Sequence, residues 1–193
     1  MKQPTQVLVL TKARFATIDL NRMAAIRAKS SAVLNALPGL ETLTIWEQHD
    51  DPFTFLIVSQ FATEQDSLRA WGTWMRSPVV DLLNDLMSDP PNTSRFFLRS
   101  STGTGFLESA IGDFLSVSTR ISDMGYSPEL LSELSGIFEE LKMIQGFLGA
   151  ITGQMIEVDD EVLGLAFWRS IQSFEASIPK NSMYGISLYQ RVL

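Results

Sequence analysis

The order strand, helix, strand, strand, helix, strand occurs twice in this 193-residue chain. Landmarks in the two halves recur at a nearly constant separation, and several strands are apolar on both faces. Together these predict an α+β protein built from two ferredoxin-like βαββαβ repeats packed sheet-to-sheet, with residues 1–100 as the first repeat, 101–112 as a linker and 113–193 as the second.

Val7 to Lys12 reads as a buried strand of aliphatic and β-branched residues. A helix follows from Leu20 to Leu37, with Met23, Ile26, Val33, Leu34 and Leu37 at helical spacing, and Pro38-Gly39 ends it. Glu41 to Gln48 alternates, with Leu43 and Ile45 on one face and Thr42, Thr44 and Trp46 on the other. The turn His49-Asp50-Asp51-Pro52 joins it to a strand over Phe53 to Phe61. Thr63, with Asp66 three residues on, opens a second helix that runs to Trp74 or Met75. Ser77-Pro78 restarts or kinks it, and Val79, Val80, Leu83 and Leu86 form the second apolar face. Asp89-Pro90-Pro91-Asn92 stops that helix, and Arg95 to Ser100 is the fourth strand. The Ser/Gly-rich stretch Ser100 to Gly105 reads as a linker.

The second half repeats the order. Phe114 to Ile121 is a strand. Ser127-Pro128-Glu129 opens a helix with Leu130, Leu134, Ile137, Phe138, Leu141 and Ile144 on its face. Ala150 to Val158 and Val162 to Trp168 are strands, Ser170 caps a short helix stopped by Pro179, and Met183 to Val192 is the last strand. Gly39 and Gly146 are 107 residues apart, as are Phe61 and Trp168, while Asp50 and Asp159 are separated by 109. The segment Ser77 to Met87 has no counterpart in the second half, so a pocket between helices and sheet is expected to be larger in the first.

A net charge of -7 disfavours binding to phosphate backbones, and no Lys/Arg cluster offsets it. With no cysteine there is no disulfide, thiolate nucleophile or Cys-based metal site. No apolar run approaches the roughly 18 residues needed to span a bilayer, and the N-terminus lacks a signal pattern, so a cytoplasmic protein with no membrane partner is expected. No dinucleotide fingerprint, P-loop, zinc-protease or hydrolase elbow is present.

Four residues are candidates for binding a ligand. Trp71 and Trp74, three apart on one helix, are either an aromatic wall for a flat molecule or core. Asn84 is either a hydrogen-bond partner or an exposed helix residue, and Arg14, ending the first strand, either holds an anionic or phenolate oxygen or lies free on the surface. His49, the one histidine, reads as a solvated turn residue. No metal site, cofactor or catalytic base is identified.

Pro38-Gly39-Leu40, the acidic hairpin from Trp46 to Phe55, and the run Phe61 to Leu68 leading to Trp71-Gly72-Thr73-Trp74-Met75-Arg76-Ser77-Pro78 resemble the dimeric α+β barrel superfamily. Within it they resemble the antibiotic-biosynthesis-monooxygenase-like group, over most of residues 5–100 and more faintly over 112–193. There two chains usually form the barrel; here one chain supplies both units. The resemblance implies a monooxygenase-like protein that binds a small aromatic or apolar molecule between the helices and sheet of the first repeat, with oxygenation that needs no cofactor. The alternative is a non-catalytic binding or scaffold protein of the same fold. Heme-degrading relatives use an Asn at the end of the first strand, a Trp on the second helix and a His ten residues on. Here Trp74 matches, Asn84 stands at the His position, and the Asn position falls near Ala13. Further pairing of the fused chain into a homodimer is open.

Overall fold

The computed structural model describes residues 5–107, 109–123, 126–178 and 185–193. The first repeat consists of β1 (Val7–Arg14), α1 (Leu20–Leu34), β2 (Leu40–Gln48), β3 (Asp51–Phe61), α2 (Glu64–Met75), α3 (Pro78–Asn84) and β4 (Asn92–Gly103). The second consists of β5 (Phe114–Ile121), α4 (Ser127–Leu141), β6 (Phe147–Met155), β7 (Glu161–Trp168), α5 (Ile171–Ser177) and β8 (Ser187–Arg191). The stop expected at Pro179 and the strand start at Met183 lie outside the described residues.

The eight strands close into one barrel in the order β1-β3-β2-β8-β5-β7-β6-β4. Each repeat contributes a four-stranded antiparallel sheet, and the last strand of each pairs with the second strand of the other. The backs of the two sheets therefore face each other, as apolar strands require, and their edges are also joined. One seam is long, from Phe96↔Met155 to Gly103↔Gly149. The other is short, from Trp46↔Arg191 to Gln48↔Tyr189, and Ile45 extends it by bonding the backbone of Val192 and Leu193. Closure leaves neither repeat a free edge. Residues 101–103, read from sequence as linker, belong to β4, because β6 supplies their backbone partners.

Alternation decides what fills the barrel. Leu8, Leu10, Trp46, Leu56, Val58 and Phe96 from the first repeat meet Leu115, Ile151, Leu163, Leu165, Phe167 and Tyr189 from the second. Each fully buried leucine of this set contributes about 1.5–3 kcal/mol. The indole N–H of Trp46 donates to Thr44 Oγ1 at 2.7 Å, so its one polar atom is satisfied in the interior. Burial pushes the Tyr189 phenol above its usual pKa, against a hydrogen bond from Ser187 that lowers it.

The repeat holds at atomic detail with a constant offset of 107. Gly39 and Gly146 both have positive φ (63° and 89°), and a Cβ on either would collide with the third residue of the following short helix, Asp66 or Ser173. Thr63 and Ser170, again 107 apart, cap α2 and α5 by accepting the N–H of those same two residues. Ala62 and Arg169 donate their N–H to the carbonyls of Gly39 and Gly146 at 2.9 and 2.8 Å.

Candidate functional site

The helix layer of the first repeat holds the candidate residues. Ala13, Phe15, Ile26, Val79 and Leu86 form its buried centre, with Met23, Val33, Phe55, Trp74, Leu82, Leu83 and Met87 packed around them. Phe15 and Phe55 meet edge to face at 5.5 Å. The extra helix α3 builds this wall. Pro78 suits its first turn, and Val79 and Leu86 turn inward. A bridge between Phe15 and Met87 ties the segment after α3 to the end of β1, helped by the N–H of Ser88 donating to the Arg14 carbonyl at 2.9 Å.

An open hollow of about 340 Å³ lies where α3 ends, lined by Asn84, Met87, Ser88, Asp89, Pro90 and Pro91. Met87 belongs both to the hollow and to the apolar layer, so the hollow leads to the layer's edge. Where β4 meets α4 and β6, a hollow of about 80 Å³ lies among Ser100, Ser101, Thr102, Ser135, Phe138, Glu139 and Ala150. The larger hollow is formed by the segment from Asn84 to Pro91 at the end of α3, not between helices and sheet.

The four candidates do not converge on one point. Trp74 is half-buried in the apolar layer, whereas Trp71 is 45% exposed on the neighbouring flank of α2. Asn84 is exposed and lines the hollow. Arg14 turns its guanidinium to the hairpin, with Nε 3.2 Å from Asp51 Oδ2, and only its backbone carbonyl joins the Ser88 segment. The Thr54 hydroxyl, then the Phe53 N–H and then Arg14 hold the Asp51 carboxyl below the usual carboxylate range. His49 is exposed in the β2–β3 turn, its ring 6.1 Å from that of Phe114.

Ser77 was legible only as a helix cap. It does occupy the N-cap of α3, but its hydroxyl makes no cap hydrogen bond. Its Oγ is buried without a hydrogen-bond partner, between Trp74 and Val79 in the chain. An unpaired buried hydroxyl costs about 1–3 kcal/mol. Sequence could have signalled only the residue type, since Ser-Pro is a common helix start.

The closed barrel of two repeats, each with its helices outside, decides the fold. The chain has the dimeric α+β barrel fold. Solved structures sharing this fold include a provisional monooxygenase of Fusobacterium nucleatum, at 11% identity and TM-score 0.73 over 100% of this chain and 94% of that one. An anthrone oxidase-like protein aligns at 14% identity and TM-score 0.72, over 99% and 93% of the two chains. A ferredoxin-fold protein of Listeria monocytogenes related to antibiotic biosynthesis monooxygenases aligns at 10% identity and TM-score 0.60, over 99% and 96%. These identities show a shared dimeric α+β barrel and leave the chemistry to the residues. No family model matches the sequence, and no curated protein does. Among the described residues no helix is long and apolar enough to cross a membrane, and no three His, Asp or Glu side chains are grouped to hold a metal ion.

Proposed function

We propose that this monooxygenase-like barrel binds a small aromatic or apolar molecule in the helix layer of its first repeat. The molecule would enter through the hollow at Asn84 and Met87 and lie against Trp74. The observation that carries this reading is the buried, unpartnered hydroxyl of Ser77 beside an otherwise apolar layer that opens onto a hollow of about 340 Å³. A ligand with a flat apolar body and one carbonyl or hydroxyl would satisfy both features.

A second reading is favoured by a different observation. The one histidine lies exposed in the β2–β3 turn, and the Arg14 guanidinium is turned to Asp51 of the hairpin. Oxygenation in which the substrate itself reduces oxygen needs a base or hydrogen-bond partner, and Ser77 supplies only the latter. Binding without turnover, as in a carrier or scaffold, is the reading that this placement favours.

Thermal shift with a panel of aromatic ketones, phenols and matched hydrocarbons tests the proposal. Ligands should stabilise wild type, lose most of that effect in Trp74→Ala, and lose their preference for a polar atom in Ser77→Ala. Equal stabilisation of wild type and both variants would remove this layer as the site. Consumption of oxygen by wild type with a stabilising ligand would separate enzyme from carrier.

A further inference from the structure

α2 carries an uncovered apolar flank. Ser67 and Ala70 are buried and Trp74 packs inward, but Leu68, Trp71 and Met75 are 50%, 45% and 48% exposed. With Gly72 they occupy positions i, i+3, i+4 and i+7, the four corners of the hole that receives one side chain of a facing helix. Gly72 has no internal reason to be glycine. A Cβ there would meet only the Arg76 guanidinium, at 3.9 Å, and glycine weakens a helix interior. Its bare backbone suits close approach from outside.

The occupant can be read from the flank's own symmetry. Turned antiparallel about a two-fold axis midway between residues 71 and 72, the flank matches itself. Leu68 then stands opposite Met75 of the second copy, and the Trp71 ring opposite bare Gly72. Charge agrees with this direction, since Glu64 lies in the first turn and Arg76 caps the far end. Antiparallel pairing sets acidic end against basic end and opposes the two helix dipoles. The position 107 residues on from Trp71 is Ile178, which lies past the end of α5 and is partly buried against the second repeat's helix-layer cluster, so the exposed flank belongs to α2 alone.

We propose that two copies of this chain associate through α2, antiparallel, with Trp71 of each seated over Gly72 of the other. This interface lies on the flank of α2 next to the proposed ligand layer, which α2 enters through the half-buried Trp74. One helix pair makes a small interface, so the dimer is concentration-dependent.

Sedimentation velocity across dilutions from about 1 to 300 μM tests it, a range suited to weak interfaces of this size. Wild type should shift from monomer to dimer, and Trp71→Ala should stay monomeric. Gly72→Ala should raise the melting temperature of the dilute chain yet weaken the dimer about tenfold, as loss of a central contact does. Because the chain has no cysteine, register can be tested by oxidation. The double variant Leu68→Cys/Met75→Cys should form a covalent dimer. Leu68→Cys alone should not, its two copies being about 10 Å apart along the axis. A monomer at every concentration, a dimer indifferent to Trp71→Ala and Gly72→Ala, or efficient cross-linking by Leu68→Cys alone would overturn the proposal.

Discussion

The two long helices of this barrel have the same length and an offset of 107, yet they sit differently on their sheets. α4 lies directly across β6, β7 and β4, with Leu134 and Phe138 buried beneath it. The sheet makes room there through Ala150, Thr152, Gly164 and Ala166, all buried. Their repeat counterparts in the first half are Leu43, Ile45, Ile57 and Ser59, all partly exposed. α1 has Arg27 and Ser31 where α4 has Leu134 and Phe138, and both are exposed. Bulk on the sheet and polarity on the helix deny α1 the seat that α4 takes. It packs instead against α3 and α2 through Met23, Ile26 and Val33. A tight helix layer and a looser one thus arise on one backbone plan, and the proposed ligand site belongs to the looser.

The contrast can be broken first at its tryptophans. Trp168 is fully buried, donates to Ser116 Oγ at 3.0 Å and meets Phe147 and Phe174 edge to face. Trp168→Ala should cost about 3–5 kcal/mol in urea unfolding followed by circular dichroism. Trp74→Ala, from the half-open layer, should cost about 1–2 kcal/mol. Equal losses would mean that the two layers are equally tight. Next, a methyl at Gly164 would sit 3.0 Å from Ser118 Oγ and 3.2 Å from Phe138 Cζ. Gly164→Ala should therefore cost about 1–3 kcal/mol, whereas Ile57→Val at the matching place should cost about 0.5–1.5 kcal/mol.

At the caps the halves should behave alike. Thr63→Ala and Ser170→Ala each remove one N-cap acceptor and should each cost about 1 kcal/mol. Hydrogen exchange sharpens the comparison without mutation. Backbone amides of α1 should exchange faster than those of α4, because fewer buried side chains hold α1 down. The smallest effect is in acid. Asp51 in the first half and Glu139 in the second are both held below the usual carboxylate range. For Glu139 the causes are Lys142 first and then Thr102. A lowered folded-state pKa gives stability that is present above the unfolded value of about 4 and lost as pH falls through the folded value. Carboxyl carbon shifts should show both titrating below about pH 4, with little change in stability because Glu139 is exposed and Asp51 partly so.

Much of this fold is legible from sequence where local chemistry is decisive. The span Phe114–Ile121 for β5, the opening of α4 at Ser127 and the caps at Thr63 and Ser170 follow from periodicity and capping residues alone. Spans set by distant partners are not legible. β4 runs on to Gly103 because β6 receives it, although Ser100 to Gly103 reads locally as a linker. β6 begins at Phe147 rather than Ala150 because it pairs with Trp168. The candidate site divides in the same way. The pairing of Trp71 with Trp74 follows from helical spacing, but three residues turn a helix by about 300°, leaving the two side chains some 60° apart. That angle puts one ring in the layer and the other at its rim. The junction at Ser77-Pro78 is legible from local chemistry, but the burial of the unpaired Ser77 hydroxyl depends on packing that no local pattern encodes.

The connection from β4 to β5 has a consequence for how the molecule can diversify. Two identical chains closing such a barrel would have to place the same residue under both long helices, so any change that loosened one helix would loosen its twin. Here one covalent chain supplies both sheets, and glycine at 164 coexists with isoleucine at 57. Joining the halves releases each from its mirror obligation. One can stay a rigid anchor for the barrel while the other drifts toward selectivity.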